Sequence, residues 1–411
     1  MKHLFLIVFL IASTFATKAQ KDNKIILGTI DSVYSTILNE QRKVWVYVPE
    51  GGGPDVFLKQ RYPVLYLLDG DAHFYSVVGM IQQLSSVNGN TICPEMIIVG
   101  IPNTDRTRDL TPTHVDADPP YMDSNFSRPS GGGEKFISFI EKELMPHIDS
   151  VYPTQKYKML VGHSFGGLTV INTLAHHSSL FNAYVAIDPS MWWQQMKYIK
   201  ATETALSGVK FNNKTLYMGI ANTMEPGMDI GTVKNDTSAA SRHIRSILEM
   251  SNFFKTHSSN GLTYQDKYYD KDDHSSVPLI TEYDALRFIF SWYPLKLTYK
   301  DYTDTSLGVV NKIEKHYETL SEKFGYKVTP SESMINGMGY EALRNKQFAK
   351  ALYLFKMNVT NYPGSYNVYD SLGDYYEGVA DKNNAIENFK KSLQVKETSD
   401  TRKKLEKLQD K

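Results

Sequence analysis

The stretch LVGHSFGG at residues 160–167 decides the fold of this chain. It follows an apolar, strand-like run at residues 157–161 and precedes a helix-like run at residues 168–176. In this context a G-x-S-x-G segment is typical of a nucleophile elbow, a tight strand-to-helix turn that leaves its serine at the apex. Glycines flank the serine because a Cβ would clash in so tight a turn. The flanks therefore predict that Ser164 presents its hydroxyl at the positive end of a helix.

Other apolar runs predict a parallel sheet around this turn. They are continuous, as expected for strands that are buried on both faces, and helical patterns separate them. Alternating strands and helices indicate an α/β sheet whose ligands bind at the carboxyl ends of its strands, where Ser164 lies. The apolar runs are residues 62–68, 96–100, 183–187 and 216–220, with a helical pattern at 136–148 and hairpin-like alternation at 24–34 and 42–48.

Charge and composition exclude some functions. The chain has 411 residues with 45 Lys and Arg against 45 Asp and Glu, so it lacks the basic footprint of a nucleic-acid-binding protein. Residues 1–19 combine a basic start, an apolar core and small residues before Gln20, which predicts a secretory signal peptide. Because this segment is too short to remain as a membrane anchor, we expect a periplasmic or secreted protein. Cys93 is the only cysteine, which excludes intramolecular disulfides and cysteine-based metal sites.

The chain beyond residue 331 changes character. Glycine, alanine and phenylalanine each recur there at a spacing of 34 residues, the tetratricopeptide period. We therefore expect a main domain at residues 20–295, a helical linker at 296–330 and a small all-α repeat domain at 331–411. Because two repeats seldom stand alone, they should lean on the main domain through a helix at residues 307–324, and they offer a surface for a protein partner. The alternative is a set of unrelated helical hairpins. The recurring pairs are Gly339 and Gly373, Ala351 and Ala385, and Phe355 and Phe389.

Two segments are expected to line a pocket beside the serine. Residues 111–133 are rich in Pro, Asp and Gly and have neither a strand nor a helix period, and loops of this length are usually functional or disordered. We expect a cap there. Trp192 and Trp193 follow the strand at residues 183–187, and they predict an aromatic wall of the pocket or, alternatively, two core residues.

His274 is the candidate base. A serine hydroxyl is a poor nucleophile until a base takes its proton, and the base needs a third group to hold its tautomer. His274 lies in a short polar loop between the strand-like residues 262–269 and an apolar helix at residues 279–292. A loop at the carboxyl end of a late strand is where such a base belongs. His73 and His114 are candidates for the pocket only.

The acid that orients the base should follow the strand at residues 216–220. Glu225 and Asp229 are both available in the next loop, and Glu225 is favoured because it is nearer to the strand end. Asp229 is a competitor, and a dyad of Ser164 and His274 is the third alternative. The oxyanion of the reaction needs two backbone N–H donors. We expect these to be the amides of Phe165 and Asp71, with Gly70 as the alternative to Asp71.

Four motifs together resemble an esterase family of α/β-hydrolases. This family includes enterochelin-type siderophore esterases, S-formylglutathione hydrolase, feruloyl and acetylxylan esterases, and the mycolyltransferases. The resemblance covers residues 29–292 and implies an α/β-hydrolase fold with Ser164 as the nucleophile and His274 as the base. The acid matches least well, because Ala221 stands where enterochelin-type members commonly have a glycine before their Glu. The four motifs are YLLDG at residues 66–70, GHSFGG at 162–167, PSMWW at 189–193 and HSSVP at 274–278.

Residues 99–110 also resemble the siderophore-esterase branch of that family. Arg106 and Arg108 in this run would bind an anionic substrate, or they would simply pair with Asp105 and Asp109. The second interpretation is favoured for at least one of the two arginines.

The residues and the resemblance together predict an exported serine esterase that hydrolyses carboxylic esters through an acyl-enzyme intermediate, with no metal or organic cofactor. The substrate would be a small-molecule ester, such as a siderophore or aryl ester. Two alternatives stay open. One is an acyltransferase with the same fold, and the other is a non-catalytic binding or scaffold protein that acts through its repeats.

Overall fold

The computed structural model of the protein describes residues 25–50 and 60–410, apart from the side chain of Tyr302. The signal peptide predicted at residues 1–19 lies outside this part of the chain. Among the described residues, no helix is both long enough and apolar enough to cross a lipid bilayer.

Eight strands form one mostly parallel sheet: β1 (Thr29–Ser35), β2 (Glu40–Tyr47), β3 (Tyr62–Leu68), β4 (Ile97–Ile101), β5 (Thr154–His163), β6 (Ala183–Ile187), β7 (Lys214–Ala221) and β8 (Leu262–Tyr269). Their order across the sheet is β1-β2-β4-β3-β5-β6-β7-β8. Strand β2 is antiparallel to both β1 and β4, and all other neighbours are parallel. The continuous apolar runs are β3, β4, β6 and β7, and every residue of β3, β4 and β6 is buried. The predicted α/β fold class is therefore confirmed.

Helices follow most of the strands. The helix predicted at residues 136–148 belongs to a longer helical stretch in which a π-helical turn, Ile140–Leu144, separates two α-helices. The α-helices are α1 (Gly70–Ser85), α2 (Arg106–Asp109), α3 (Ser124–Ser127), α4 (Gly133–Phe139), α5 (Met145–Val151), α6 (Phe165–His176), α7 (Lys197–Ser207), α8 (Arg242–Thr256), α9 (Val277–Ile289), α10 (Tyr299–Thr303), α11 (Gly308–Phe324), α12 (Glu332–Arg344), α13 (Phe348–Asn361), α14 (Tyr366–Gly378), α15 (Lys382–Val395) and α16 (Ser399–Gln409), with 3₁₀ turns at Val87–Gly89, Val233–Asn235 and Ser258–Asn260.

The helices cover both faces of the sheet and create two hydrophobic cores. One core lies between the sheet and helices α4 to α8 and includes Phe136, Leu168 and Ile247. The other lies beneath α1 and α9 and includes Phe74 and Leu286. A parallel sheet needs this double cover because its strands are apolar on both faces. The two layers leave the loops at the carboxyl ends of the strands available for chemistry.

The C-terminal region is entirely helical over its described residues, as the sequence predicts. Helix α12 packs against α13, and α14 packs against α15. A Cβ on Gly339 would lie 2.8 Å from the ring of Phe355, and a Cβ on Gly373 would collide with the ring of Phe389. The residues that recur at a spacing of 34 therefore make equivalent helix–helix contacts. Leu405 of α16 completes the last of these small cores.

Helix α11 joins the two parts of the molecule. Its N-terminal half places Val309, Val310 and Ile313 in the core of the C-terminal helices. Its C-terminal end places Leu320 and Phe324 in the core beneath α1 and α9. One helix thus contributes to both cores, which gives the C-terminal helices an extensive apolar contact with the sheet domain.

We expect Phe324→Ala to lower the free energy of unfolding of the sheet domain by about 3–5 kcal/mol, because it deletes a buried aromatic ring. The Phe324 ring is 3% exposed and contacts the rings of Tyr157 and Trp292 at centroid distances of 5.2 and 5.0 Å. Urea titration followed by fluorescence measures the loss. Tyr299→Ala, at a position that is 84% exposed on α10, is the matched control and should change stability little. Equal stability of both variants would contradict the joining role of α11.

Candidate active site

Ser164 sits at a strained turn between β5 and α6. Its backbone has φ 60° and ψ −115°, a conformation that costs energy for any residue with a side chain. The Ser164 N–H donates to the carbonyl of Ile187 at 2.9 Å, which holds the turn against the neighbouring strand β6. A Cβ on Gly162 would collide with the carbonyl of Gly166, so glycine is required at that position. The predicted elbow geometry is present.

Ser190 contacts the nucleophile candidate from the loop after β6. Its hydroxyl Oγ lies 3.3 Å from Ser164 Oγ, and its N–H donates to the Ser164 carbonyl at 3.0 Å. Ser190 is 1% exposed. It therefore limits the positions that the Ser164 side chain can take.

His274 is oriented by Asp188. The His274 Nδ1 atom lies 2.6 Å from Asp188 Oδ2, so the opposite ring nitrogen, Nε2, points away from the carboxylate. The His274 side chain is 39% exposed, whereas Asp188 is fully buried. Burial alone would raise the pKa of Asp188, but the charge and hydrogen bond of His243 and the hydrogen bond from His274 hold it well below its usual range. Asp188 is thus an ionised carboxylate at neutral pH.

This finding corrects the expected position of the acid. Glu225 and Asp229 are both exposed in the loop after β7, and the carboxylate bonded to His274 is that of Asp188 instead. Asp229 caps its own turn by accepting the N–H groups of Gly231 and Thr232 at 2.8 and 3.0 Å. Asp188 reaches His274 because it is the first residue after β6, next to the nucleophile strand.

The backbone at Asp188 is shaped for this role. Its φ of 39° lies in the left-handed region, which is uncommon for a residue with a side chain. The Asp188 N–H donates to the carbonyl of Gly219 at 2.8 Å, and Asp188 Oδ1 accepts the N–H of Ala221 at 2.9 Å. Both bonds tie the loop after β6 to β7. The strained turn therefore stays in place and directs the carboxylate under the histidine.

The three residues Asp188, His243 and His274 are also the only described group of His, Cys, Asp and Glu whose ligand atoms could surround a metal ion, within 4.8 Å of one another. Both imidazole nitrogens lie 2.6–2.7 Å from the same oxygen, Asp188 Oδ2. These are hydrogen-bond distances. In a metal site each ligand atom would instead lie about 2.0–2.2 Å from a shared ion. The arrangement therefore fits proton chemistry.

The oxyanion candidates lie at the starts of two helices. Phe165 is the first residue of α6, and Asp71 is the second residue of α1. The first amides of a helix have no acceptor within the helix, so the N–H groups of Phe165 and Asp71 need an acceptor from elsewhere. Gly70 begins α1, and a Cβ there would lie 2.5 Å from the backbone of Ile101. The chain can thus pass close to β4 at this point.

Aromatic rings gather beside Ser164. The Trp192 ring lies 4.6 Å from the Tyr121 ring and 5.8 Å from the Phe165 ring, measured between centroids. Phe126, which is 50% exposed, stacks on Phe165 at 6.4 Å. Tyr121 and Phe126 belong to residues 111–133, so this loop covers the region as a cap does. Trp192 and Trp193 are 6% and 0% exposed and belong to the same hydrophobic core, so the alternative of two core residues describes them.

The two arginines are engaged in ion pairs. Arg106 makes a bidentate pair with Asp69 at 2.7 and 3.0 Å, and its guanidinium lies 5.3 Å from the centre of the Phe165 ring. Arg108 pairs with Asp109 and with Glu40, each at 2.7 Å. Arg108 therefore forms the ion pair with Asp109 that the sequence predicts. Arg106, 34% exposed, keeps one side open beside Phe165.

Several buried ionisable groups lie beneath the site. Burial, followed by the neighbouring His274, lowers the pKa of His163 to about 3, and its ring lies 4.5 Å from the His274 ring. His73 Nδ1 lies 4.0 Å from Glu282 Oε1. Burial raises the pKa of Glu282 to about 8, and neither of its carboxyl oxygens has a hydrogen-bond partner. His114 instead contacts Ser130 and an exposed aspartate.

Three residues of the site were missed by sequence reasoning: Asp188, Ser190 and His243. A signal existed for the first two, because the DPS segment follows the strand next to the nucleophile strand and a polar residue there faces the same edge of the sheet. His243 is the second residue of the amphipathic helix α8 and has no local motif around it. Only the tertiary structure brings it to Asp188.

The sheet order, the elbow and the Asp188–His274 pair define an α/β-hydrolase. A family model described as "Putative esterase" matches residues 35–274, which is more than half of the chain, so the protein belongs to this family. The chain is 30% identical over 192 residues to ferri-bacillibactin esterase BesA of Bacillus subtilis, a match that covers 44% of this chain and 66% of BesA. It is also 30% identical over 155 residues to the siderophore enterobactin esterase of Emericella nidulans, which covers 35% of this chain and 51% of that protein. The chain thus spans less than two thirds of the length of these curated relatives.

Solved structures agree with the fold. An IroE-like serine hydrolase from Shewanella oneidensis has 32% sequence identity and a TM-score of 0.66, and the match covers 80% of this chain and 98% of that one. A protein from Capnocytophaga ochracea has 20% identity and a TM-score of 0.58, with 93% of this chain and 99% of that chain covered. The second likeness concerns the fold alone, and it extends over most of the chain.

We expect Glu282→Gln to stabilise the protein at alkaline pH. A carboxyl whose pKa rises from 4.5 to about 8 on folding contributes stability below pH 4.5 that is progressively lost as the pH rises towards 8. The amide cannot ionise, so the variant should have a higher Tm than wild type at pH 8.5, and the difference should shrink towards pH 5. Glu318→Gln, an exposed position on α11, is the control. A difference in Tm that did not change with pH would contradict the buried, protonated state of Glu282.

Proposed function

We propose that the protein is a serine esterase in which Ser164, His274 and Asp188 form a catalytic triad. The observation that carries this proposal is the hydrogen bond of 2.6 Å between the buried Asp188 carboxylate and His274 Nδ1, beside a serine held in an elbow. In this proposal Asp188 replaces Glu225 and Asp229, the two acids expected from the sequence. A predicted signal peptide at residues 1–19 supports export to the periplasm or the outside of the cell.

The proposed roles of the three residues are those of a serine–histidine–aspartate triad. His274 Nε2 takes the proton of Ser164 Oγ as the oxygen attacks the ester carbonyl, and Asp188 stabilises the resulting imidazolium. The N–H groups of Phe165 and Asp71 hold the oxyanion of the tetrahedral intermediate. The imidazolium then protonates the departing alcohol, which leaves an acyl group on Ser164. Water, deprotonated by the same imidazole, releases the acid and regenerates the serine.

Substitution of the triad tests this function with p-nitrophenyl acetate. We expect Ser164→Ala to lower kcat by about 10⁴–10⁶-fold and Asp188→Asn by about 10²–10⁴-fold, because an amide cannot hold the same imidazole tautomer or stabilise its charge. Glu225→Gln and Asp229→Asn are matched carboxylate controls and should retain kcat close to that of wild type. A stronger loss in either control than in Asp188→Asn would reassign the acid.

A fluorophosphonate probe separates the esterase from a scaffold protein with an inert hydrolase fold. An activated serine is labelled, and we expect labelling of Ser164 in the wild type only. Absence of labelling in the folded wild-type protein would support the scaffold alternative. If labelling occurs and the acyl group passes to an alcohol acceptor in preference to water, the protein is an acyltransferase of the same fold.

We propose siderophore esters as the substrate class. Two similar proteins, a ferri-bacillibactin esterase and a siderophore enterobactin esterase, support this class. The exposed ring of Phe126 and the partly exposed ring of Tyr121 offer flat apolar surfaces, which suit an aromatic substrate. They pack on the buried rings of Phe165 and Trp192. Arg106, whose guanidinium is paired with Asp69, lies beside Phe165 and leaves 34% of its side chain exposed for polar contacts with a substrate.

A panel of esters tests the substrate class. We expect kcat/KM to be higher for enterobactin and ferri-bacillibactin than for a feruloyl ester or p-nitrophenyl acetate. Phe126→Ala removes an exposed ring of the cap, and it should lower kcat/KM for the siderophores more than for p-nitrophenyl acetate, because only a large substrate reaches the cap. Tyr299→Ala, an exposed aromatic on α10, serves as the control. A feruloyl ester as the best substrate would overturn the siderophore assignment.

A further inference from the structure

A second histidine binds the acid of the proposed triad. His243 lies in the first turn of α8, and its Nε2 lies 2.7 Å from Asp188 Oδ2, the same oxygen that accepts His274 Nδ1 at 2.6 Å. His243 is buried, at 8% exposure. The proposed reaction does not use it, since its ring nitrogen faces the carboxylate and not the substrate side. The proposed reaction therefore leaves the contact between His243 and Asp188 unexplained.

The oxygens of Asp188 are fully used by this arrangement. Oδ1 accepts the N–H of Ala221, and Oδ2 accepts both histidines, with no exposure of the residue to solvent. A buried carboxylate is costly unless hydrogen bonds and charges compensate for its lost hydration. His243 supplies part of that compensation. His243 and His274 also compete as donors to the same oxygen, Asp188 Oδ2.

The position of His243 is set by the cap. The His243 N–H lies 3.2 Å from Tyr121 Oη, and Tyr121 in turn donates to the carbonyl of Ala239 at 2.9 Å. The neighbouring Arg242 pairs with the buried Asp118 at 3.0 Å and lies 4.8 Å from the centre of the Tyr121 ring. The start of α8 is therefore tied to residues 111–133, and the His243 side chain has a fixed approach to Asp188.

We infer that His243 is a positioning residue that acts through Asp188: its Nε2–H bond holds the carboxylate against His274 and shares the oxygen that His274 bonds. This inference rests on the proposed function of Asp188 as the acid of the triad. A carboxylate oxygen shared between two donors stabilises the His274 imidazolium less than an oxygen devoted to it alone. Loss of the His243 donor therefore makes His274 hold its proton to higher pH.

Other titratable and charged groups face this cluster and remain the same in the test below. They come from the end of β5, from α1 and the residue before it, from the start of α2, from the loop before α9 and from α9 itself. These groups are His163, His73, Asp69, Arg106, Asp273 and Glu282.

The direct test is an NMR titration of the His274 ring with ¹³C-labelled histidine in the Ser164→Ala protein. We compare His243 with two substitutions in that background. His243→Gln keeps an N–H donor at the same reach as Nε2, and the His274 midpoint should stay where it is. His243→Leu removes the donor, and the midpoint should rise by about 0.5–1 pH unit. Because this readout needs no turnover, it is independent of whether the protein hydrolyses esters.

The second readout is the pH profile of kcat/KM in the protein with Ser164 intact. The acid limb reports the base that must be deprotonated, so it should move to higher pH in His243→Leu and stay in place in His243→Gln. His147→Leu is the matched control, because His147 makes the same kind of bond, 2.8 Å to Asp31, at the β1 edge of the sheet. A general loss of stability would lower the plateau without moving the limb.

The outcomes separate as follows. An unchanged His274 midpoint in His243→Leu overturns the inference, and so does an equal shift in His243→Gln, which would assign the effect to the imidazole charge and not to its N–H bond. If His243→Leu does not fold, His243→Asn replaces it, because its shorter side chain does not reach Asp188 Oδ2 and should give the same rise. Shifts in the NMR midpoint without any ester hydrolysis would contradict the proposed function and leave the His243 contact established.

Discussion

The buried carboxylate of Asp188 holds the site together. It accepts three hydrogen bonds, from the backbone of Ala221 and from the side chains of His243 and His274. These bonds join the end of β7, the start of α8 and the loop after β8. A carboxylate excluded from water is stable only when such donors surround it, so each of these segments is held to the others by the same requirement. The strained φ of Asp188 is compatible with the fold because this network compensates for its cost.

The elbow imposes the second constraint. Ser164 requires a close crossing of β5 and α6, which glycines permit, and its N–H and carbonyl are bonded to Ile187 at the end of β6 and to Ser190 in the loop that follows. The proposed nucleophile and the proposed acid therefore belong to adjacent strand ends of one sheet. Rigid strand ends hold catalytic groups more precisely than a free loop does. The loop at residues 111–133 adds the aromatic surface, and its Tyr121 reaches the acid through the start of α8.

Beneath the site, buried ionisable groups are kept neutral. His163 and Glu282 lie where burial opposes their charged forms, with pKa values of about 3 and about 8. The C-terminal helices are more remote from this chemistry. Their contact with the sheet domain runs through α11, which contributes apolar residues to both cores.

Local signals in the sequence were enough to predict the fold class, the elbow geometry and the loop in which His274 lies. Continuous apolar runs bounded by turn residues fit strands buried on both faces, and the glycines around Ser164 and the polar loop of His274 are signals that need no distant partner. The equivalent glycine–phenylalanine contacts of the C-terminal helices were also predictable, because a small residue must face a large one where helices pack closely. The acid was not predictable in the same way. Residues Asp188 and His274 lie 86 positions apart, and Asp188 and His243 lie 55 apart, so no local pattern reports their contact. Several carboxylates follow the strand ends, and only the packing of α8 and the twist of the loop after β6 decided which one is buried under the base.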